Sequence, residues 1–396
     1  MQRRHDIDAL RALAFALLIL YHWAMLYVAG DDWGWHLKST HTSELLQLPM
    51  LLVNRWRMDL IFLISGLSVH FLLRDTRIGR FIALRTWRLL LPLVFGMLVV
   101  VPIQPYAQGV ANGAVEPGFW RFIVDYLGGR NWPGEAFDGS DGLTWNHLWY
   151  LAYLWVYTLA FAVLLPLLRR LPNPFAYLRG GWLMTLPALP LLAATLILQP
   201  IFGTDGDLHN DWYRHAMYFT AFLYGWWLGG DVGVWNELVR FRKRASAWAF
   251  GFFCAYALLV FGLPEAAPGW LELVVRTLRN FYIWFALSAI LGWAKHLLDR
   301  PFRWLPWANA SVYPWYILHQ SLIILMAYWL LPMNLGPVLE PTLVLVGTVA
   351  GCWMLTTLVG WSRVLRPCFG MKARRPEPTR AAHIGAPSNV PSPLMP

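Results

Sequence analysis

The segment from His147 to Leu168 reads HLWYLAYLWVYTLAFAVLLPLL and contains no Asp, Glu, Lys or Arg. As a helix it rises about 33 Å, which is enough to cross a hydrocarbon core about 30 Å thick. Apolar segments of this kind recur along the 396-residue chain, in which 58% of the residues are hydrophobic and 14% are charged. Soluble domains have about a quarter charged residues. The sequence therefore predicts an integral membrane protein.

Helices are the predicted spanning elements, because open strand edges cannot be hydrogen-bonded in lipid and barrel strands are only about ten residues long. We predict an all-α membrane domain of ten transmembrane helices over residues 1–366. The predicted spans are residues 9–29, 58–73, 81–105, 147–168, 182–201, 213–230, 246–264, 276–294, 311–331 and 338–362. Residues 367–396 are rich in Pro, Ala and Arg and are predicted to form a disordered cytoplasmic tail.

The basic residues indicate the topology. The net charge is +10, and Lys and Arg cluster in alternate short loops, as in Arg240, Arg242, Lys243 and Arg244. The remaining loops carry acidic residues, namely Glu116, Asp125, Glu135, Asp138, Asp141, Asp205, Asp207 and Asp211. Because cytoplasmic loops are enriched in Lys and Arg, both termini are predicted to face the cytoplasm of a bacterial inner membrane. No nucleic-acid partner is needed to explain the charge, and none is expected.

Two ionisable residues lie on the first span. Such groups are costly inside a membrane and are therefore candidates for function. Arg11 and His22 are about three helical turns apart, so they are predicted on one face and about 16 Å from each other. Asp8, three residues before Arg11, is placed to pair with it. His22 is either a functional imidazole or a packing residue hydrogen-bonded between helices, and Arg11 is either a ligand contact or an anchor at the inner face.

The second span begins with charged residues. Asp59 is predicted near the depth of His22, where a carboxylate would fix the tautomer of the imidazole and stabilise its protonated form. The alternative is that Asp59 pairs with Arg55 or Arg57. Gly66, further along the same span, is predicted to permit close helix packing.

Three further groups lie at or near the ends of spans. Arg85 and Arg88 share a helix face at the inner boundary, where guanidinium groups either hold phosphates or serve as interfacial anchors. His147 and Trp149 open the fourth span, as part of an aromatic belt or as a platform for a sugar ring. His319, on the ninth span, is predicted near the middle of the membrane.

These segments, in this order and spacing, resemble the membrane acyltransferases of the acyltransferase-3 type. The resemblance runs from Ile7 to Arg366 and implies a ten-helix architecture. The matching motifs are Arg11 and His22 with ten residues between them, the pair Arg85 and Arg88, Phe62–Gly66, His147–Trp149 and Ser311–His319.

Within the family, the sequence most resembles a branch whose members succinylate periplasmic glucans. The segments that carry this likeness are Arg57-Met58 before Phe62–Gly66, and Asn309–Ser311 before Tyr316 and His319. Pro314 and the long acidic loop at 106–146 depart from the family pattern, and they leave the acceptor open.

The resemblance implies an O-acyltransferase that moves an acetyl or succinyl group from cytoplasmic acyl-CoA to a hydroxyl of a periplasmic or cell-envelope carbohydrate such as a glucan. Arg85 and Arg88, with Arg11, are then expected to bind the acyl-CoA. His22 is expected to act as the general base, oriented by Asp59, or alternatively to carry the acyl group itself.

The carbohydrate acceptor is expected to contact His147, Trp149, Tyr316 and His319. Three scattered cysteines are too few for a disulfide framework or a zinc site, and no metal is expected. Membrane lipid is the other expected partner, and the chain is either a monomer or a homo-oligomer.

Two other function classes fit part of the pattern. Intramembrane charges also form substrate or proton paths in secondary transporters and flippases of carbohydrates or small anions. The sequence shows no clear inverted repeat, which disfavours that class. A sensor or an assembly scaffold would leave the shared face of Arg11 and His22 unexplained.

Overall fold

The described part of the molecule is helical. The computed structural model describes residues 4–30, 33–128, 143–203, 208–263 and 268–372. Within these ranges the regular structure consists of helices, with one isolated β-bridge between Val28 and Ser43. The predicted disordered tail, residues 367–396, begins too early, because a helix runs to Cys368 and Phe369 is buried against Phe95. Residues 373–396, and the acidic residues Glu135, Asp138, Asp141, Asp205 and Asp207, lie outside the described residues.

Nine helical stretches among the described residues are long and apolar enough to cross a membrane, which confirms the predicted all-α integral membrane fold. The α-helices in chain order are α1 (His5–Ala24), α2 (Gln47–Arg74), α3 (Ile78–Phe95), α4 (Ile103–Ala111), α5 (Phe119–Leu127), α6 (Trp149–Leu168), α7 (Gly180–Thr185), α8 (Ala188–Ile197), α9 (Gln199–Phe202), α10 (Trp212–Leu228), α11 (Val232–Gly262), α12 (Gly269–Leu298), α13 (Leu305–Leu330), α14 (Gly336–Trp361) and α15 (Leu365–Cys368).

The predicted span at 213–230 is formed by α10, whose 17 residues make it shorter than the nine stretches. The direction of α13 shows that α10 has to be counted as a crossing. Arg11 and His22 of α1 contact Asn309 and His319 of α13, in that order, so the two helices run parallel. Parallel helices require an odd number of crossings between them. The seven predicted spans between α1 and α13 satisfy this requirement only if α10 is one of them.

α10 packs along α2 through two glycines. A Cβ atom on Gly66 would lie 1.9 Å from the carbonyl oxygen of Phe222, and a Cβ atom on Gly225 would lie 1.9 Å from that of Leu63. Any side chain at either position would therefore push the helix backbones apart. The close packing predicted at Gly66 is confirmed.

The first two spans differ from their predicted bounds. α1 ends at Ala24 instead of residue 29, because the chain turns there and Val28 pairs with Ser43. α2 begins at Gln47, well before residue 58. The apolar pattern stops at the arginines of this segment, whereas the helix continues through them.

Two later spans are interrupted. A π-helical turn at Gly96–Val100 joins α3 to α4, so that the third stretch extends to Ala111. The predicted span 182–201 is divided into α7, α8 and α9, with Pro187 at the start of α8 and a proline in the first turn of α9. Proline lacks an N–H group and is tolerated at such helix starts. The short helix α5, within the loop at 106–146, was not predicted.

Candidate active site

A pair of histidines joins α1 to α13. Nδ1 of His22 lies 2.8 Å from Nε2 of His319, and the rings are nearly parallel with their centroids 5.1 Å apart. Nδ1 of His319 lies 3.0 Å from the carbonyl oxygen of Trp315 and 2.8 Å from that of Tyr316. Since His319 is buried, these contacts define its orientation.

The same contacts fix the tautomers of both neutral rings. A carbonyl oxygen only accepts hydrogen bonds, so Nδ1 of His319 carries the proton. Its Nε2 then has the lone pair and accepts from Nδ1–H of His22. Nε2 of His22 is left with a free lone pair, which is the form that a general base requires.

His22 lines a cavity of about 320 Å³. The ring of Trp35 stacks on its imidazole, with the centroids 6.3 Å apart. Aromatic faces beside amide, hydroxyl and imidazole groups suit a carbohydrate, which presents both apolar ring faces and hydroxyl groups. The other lining residues are His36, Pro105, Gln108, Thr144, Asn146, His147, Trp149 and Gln320.

Buried amides form a hydrogen-bonded wall behind this cavity. Nε2 of Gln320 donates to Oε1 of Gln104 (3.1 Å) and to Oδ1 of Asn146 (2.9 Å). Nε2 of Gln104 in turn donates to Oγ of Ser321 (2.7 Å) and to Nδ1 of His147 (3.2 Å). Each link joins different segments of the chain, so the wall is held in one arrangement.

His147 supports the site and is not free to act as a base. Its Nε2 donates to the carbonyl oxygens of Tyr316 and Ile317, each at 3.1 Å, while its Nδ1 accepts from Gln104. The hydroxyl of Tyr316 donates to the carbonyl oxygen of His147 at 2.6 Å. Because the Tyr316 carbonyl also accepts from His319, His147 and Tyr316 help to hold the histidine pair in place.

A second polar group lies at the other end of α1. Nη2 of Arg11 donates to Asp8 (2.6 Å), as predicted, and to Asn309 (3.2 Å). Arg85 lies within electrostatic range of Arg11 and Arg88. The structure thus brings together the three arginines that were predicted to bind one ligand.

Several donors of this arginine group have no partner among the described residues. Nε and Nη2 of Arg85 and Nδ2 of Asn309 are all buried and unpaired. Nε and Nη2 form one edge of the guanidinium, the edge that holds a phosphate or carboxylate with two parallel hydrogen bonds. The group therefore offers free donors to an anion, such as a phosphate or a carboxylate.

Aromatic rings fill the space between the two polar groups. The ring of Phe15, on α1, makes edge contacts with Tyr150 at 6.3 Å and with Tyr316 at 5.4 Å between centroids. All three side chains are buried. A ligand that reaches from the arginines to His22 would have to pass these rings.

The comparison with known protein families bears directly on this arrangement. Residues 4–357 match the model of the acyltransferase domain of the acyltransferase-3 type. The chain belongs to this family. Membership makes the protein a membrane acyltransferase and favours the enzyme over the transporter and scaffold interpretations.

The acyltransferase is also similar to proteins named glucans biosynthesis protein C. The protein from Shigella dysenteriae serotype 1 is 28% identical over 163 residues, which are 40% of this chain and 37% of the relative. The protein from Escherichia coli K12 is 27% identical over the same lengths. The similarity thus spans little more than a third of these relatives, and no solved structure matches the chain.

One predicted contact of the acyltransferase is wrong. Asp59 does not orient His22, since Nδ1 of His22 is bonded to His319. Asp59 is buried within electrostatic range of Arg279, and its Oδ1 has no partner among the described residues. Residues two apart on a helix point about 200° away from each other. Because Arg57 faces α1, Asp59 points to the other side of α2.

Sequence reasoning also missed much of the cavity wall. Trp35 and His36 come from the irregular segment after α1, where no periodicity marks them. Gln104 and Gln108 are one helical turn apart at the end of the third span, so their polarity within an apolar stretch was a usable signal. Asn146 adopts a positive φ of 45°, which asparagine tolerates better than most residues.

Proposed function

We propose that this membrane acyltransferase is an O-acyltransferase that uses acyl-CoA as donor and a carbohydrate hydroxyl as acceptor. The observation that carries the proposal is the histidine pair. His319 fixes His22 with its free Nε2 lone pair, and His22 is part of the wall of a cavity whose lining suits a sugar. The arginine group at the other end of α1 has unpaired donors for the phosphates of the donor.

The chemistry follows from the basicity of His22. A hydroxyl group attacks a thioester poorly unless its proton is removed as the bond forms. Nε2 of His22 takes that proton while the hydroxyl oxygen bonds to the acyl carbon. The C–S bond then breaks, and the leaving thiolate receives the proton from His22. His319 acts as a positioning residue, because it accepts from Nδ1–H throughout.

The donor would lie along α1. Arg85, with Arg88 and Arg11, would hold the phosphates, and the thioester would reach His22 about 16 Å away, a separation set by helix rise. Phe15, Tyr150 and Tyr316 would line or gate that passage. An acetyl or succinyl group is the proposed cargo, and a glucan is the proposed acceptor because of the similarity to glucans biosynthesis protein C.

The geometry also supports a proposed orientation in a bacterial inner membrane. The arginine group would face the cytoplasm, where acyl-CoA is made, and the cavity would face the periplasm. To test this, Glu116→Cys and Lys243→Cys are labelled with an impermeant maleimide after Cys254, Cys352 and Cys368 are replaced by Ser. Glu116→Cys should react in intact spheroplasts and Lys243→Cys only after lysis. Labelling of both from one side would contradict the orientation.

The activity is tested with the purified protein in nanodiscs. Acetyl-CoA and succinyl-CoA are supplied with and without a panel of glucans, and release of free thiol and acylation of the glucan are measured. Acceptor-dependent thiol release with ester formation on the sugar is the expected result. Acylation of an amine, or no acylation of any carbohydrate offered by active protein, would contradict the proposal.

A further inference from the structure

Arg57 is a half-buried arginine near the histidine pair, with its Nε and Nη1 atoms buried. Its guanidinium carbon lies 3.4 Å from the centroid of the Tyr21 ring, and that ring lies 5.9 Å from the ring of His22. Arg57 is also within electrostatic range of His22 itself. It is on α2, and it faces the end of α1 at which the proposed base is located.

Arg57 forms no ion pair with any described carboxylate. Its side chain hydrogen-bonds Tyr21, while its Nε and Nη1 are buried and have no hydrogen-bond partner among the described residues. Arg279, another arginine within the bundle, instead donates to Gln199 at 2.8 Å and to Tyr213 at 3.1 Å. An unpaired cation in a membrane interior is costly and is retained where it meets a negative charge.

The ring of Tyr21 separates Arg57 from the histidine pair. The guanidinium lies on one side of this ring and His22, which lines the cavity, lies on the other. On the side of α10, Tyr218 is within electrostatic range of Asp59 and, more weakly, of Arg57. The approach of Arg57 to the cavity is therefore through Tyr21 and His22.

Acyl transfer places negative oxygen at this position. When the acceptor oxygen bonds to the acyl carbon, the electron pair of the carbonyl moves to its oxygen, which becomes an oxyanion until the C–S bond breaks. A dicarboxylic acyl group also carries a carboxylate at its far end. Buried N–H donors aimed at such an oxygen stabilise it strongly, because no water competes.

We propose that Arg57 binds a negatively charged oxygen of the acyl group during transfer. The proposal rests on the proposed function, since it assumes that the acyl group reaches His22. The oxygen is either the oxyanion on the carbonyl under attack or the terminal carboxylate of the acyl chain. Donor choice separates these two sources.

The test compares Arg57→Gln with the matched control Arg55→Gln. Arg55 is also on α2, but its guanidinium carbon lies over the ring of Tyr256, on α11, at 5.7 Å from the centroid, whereas that of Arg57 lies over Tyr21 at 3.4 Å. Transfer from acetyl-CoA and from succinyl-CoA is measured with an acceptor on which the wild-type protein is active. Arg57→Gln should lower turnover about 100-fold, the usual effect of removing one oxyanion donor, while Arg55→Gln stays within a few fold of wild type.

The donor dependence assigns the oxygen. Loss with both donors identifies the oxyanion, and loss with succinyl-CoA alone identifies the carboxylate. Arg57→Lys keeps the positive charge and should therefore be more active than Arg57→Gln. If Arg57 had only a structural role, the activity would not depend on whether the substituted residue is charged. Donor binding within a few fold of wild type shows that Arg57→Gln is folded. Near-normal turnover by folded Arg57→Gln with both donors would overturn the proposal, and if His22→Ala is also active, the proposed function itself fails.

Discussion

The two polar groups on α1 differ in how completely their hydrogen bonds are made. At the His22 end, both nitrogens of His319 and of His147 are bonded, and the amides of Gln104 and Gln320 are paired with each other and with their neighbours. At the Arg11 end, a whole edge of Arg85 is buried and unpaired. Apart from Arg57, whose Nε and Nη1 are unpaired, the first end is preorganised within the protein, whereas the second lacks the anion that would complete it.

Arg4 presents the same donor edge in a satisfied state. Nε and Nη2 of Arg4 donate to the two carboxylate oxygens of Asp6, at 2.9 and 2.7 Å. The same two atoms of Arg85 have no such partner. Within one chain, then, the same donor edge is satisfied where the arginine is structural and left open where a ligand is expected. We infer that the His22 end determines the rate of transfer and the Arg85 end determines the affinity for the donor.

The largest expected effect is that of His22→Ala. Loss of the base should lower transfer by about 10² to 10⁴-fold, the usual contribution of a positioned general base. Affinity for acyl-CoA should stay within a few fold, because the phosphates are held at the other end. The measurements are acceptor-dependent turnover and binding of a non-transferable acyl-CoA analogue. If His22→Ala lowered turnover and acyl-CoA affinity by similar factors, the His22 end could not be assigned to the rate and the Arg85 end to the affinity.

His319 should have the next largest effect. His319→Leu removes the acceptor for Nδ1–H of His22 and should lower turnover about 10- to 100-fold with unchanged donor binding. His319→Gln is the matched variant, because its amide oxygen can still accept that hydrogen bond. Turnover should therefore be higher in the Gln than in the Leu variant. Equal activity of the two variants would mean that His319 only fills space.

Arg85→Gln should act on affinity instead. Loss of charge-assisted hydrogen bonds costs about 1.5–3 kcal/mol, or about tenfold or more in the dissociation constant of acyl-CoA. Turnover at saturating donor should change little. Arg4→Gln is the control, since its guanidinium already pairs with Asp6 and should not affect donor binding. If the Arg85 variant and the wild type bound acyl-CoA equally well, Arg85 would be an interfacial anchor and not a donor contact.

The smallest expected effect on function comes from the packing of α2 on α10. In Gly66→Ala, the new methyl group would meet the carbonyl of Phe222, and overpacking of this kind costs about 1–3 kcal/mol. The midpoint of thermal unfolding should fall. Turnover and donor affinity, each measured on the folded fraction, should change by similar factors. Gly79→Ala, where nothing lies within 4 Å, is the control and should not lower the midpoint, because alanine favours the helix more than glycine does. A selective loss of turnover would show that α2 positions the site directly.

Sequence patterns predicted the parts of this account that depend on a single helix. The spacing of Arg11 and His22 placed them on one face, and the spacing of Arg85 and Arg88 placed both at one end of a span. The base and its partner could not be paired in this way, because His22 and His319 are 297 residues apart and meet only in the folded bundle. Asp59 was the nearer candidate along the chain, but the rotation of α2 turns it away.

His319 fixes His22 with the proton on Nδ1 and the lone pair on Nε2. This arrangement is tested most directly by ¹⁵N magic-angle-spinning NMR of the protein labelled with ¹⁵N-histidine and reconstituted in lipid, at a pH at which the rings are neutral. The His22 signals are assigned from their loss in His22→Gln. We expect a protonated Nδ1 and an unprotonated Nε2 for His22, with Nδ1 of His319 also protonated. A His22 ring protonated on Nε2 would contradict this arrangement.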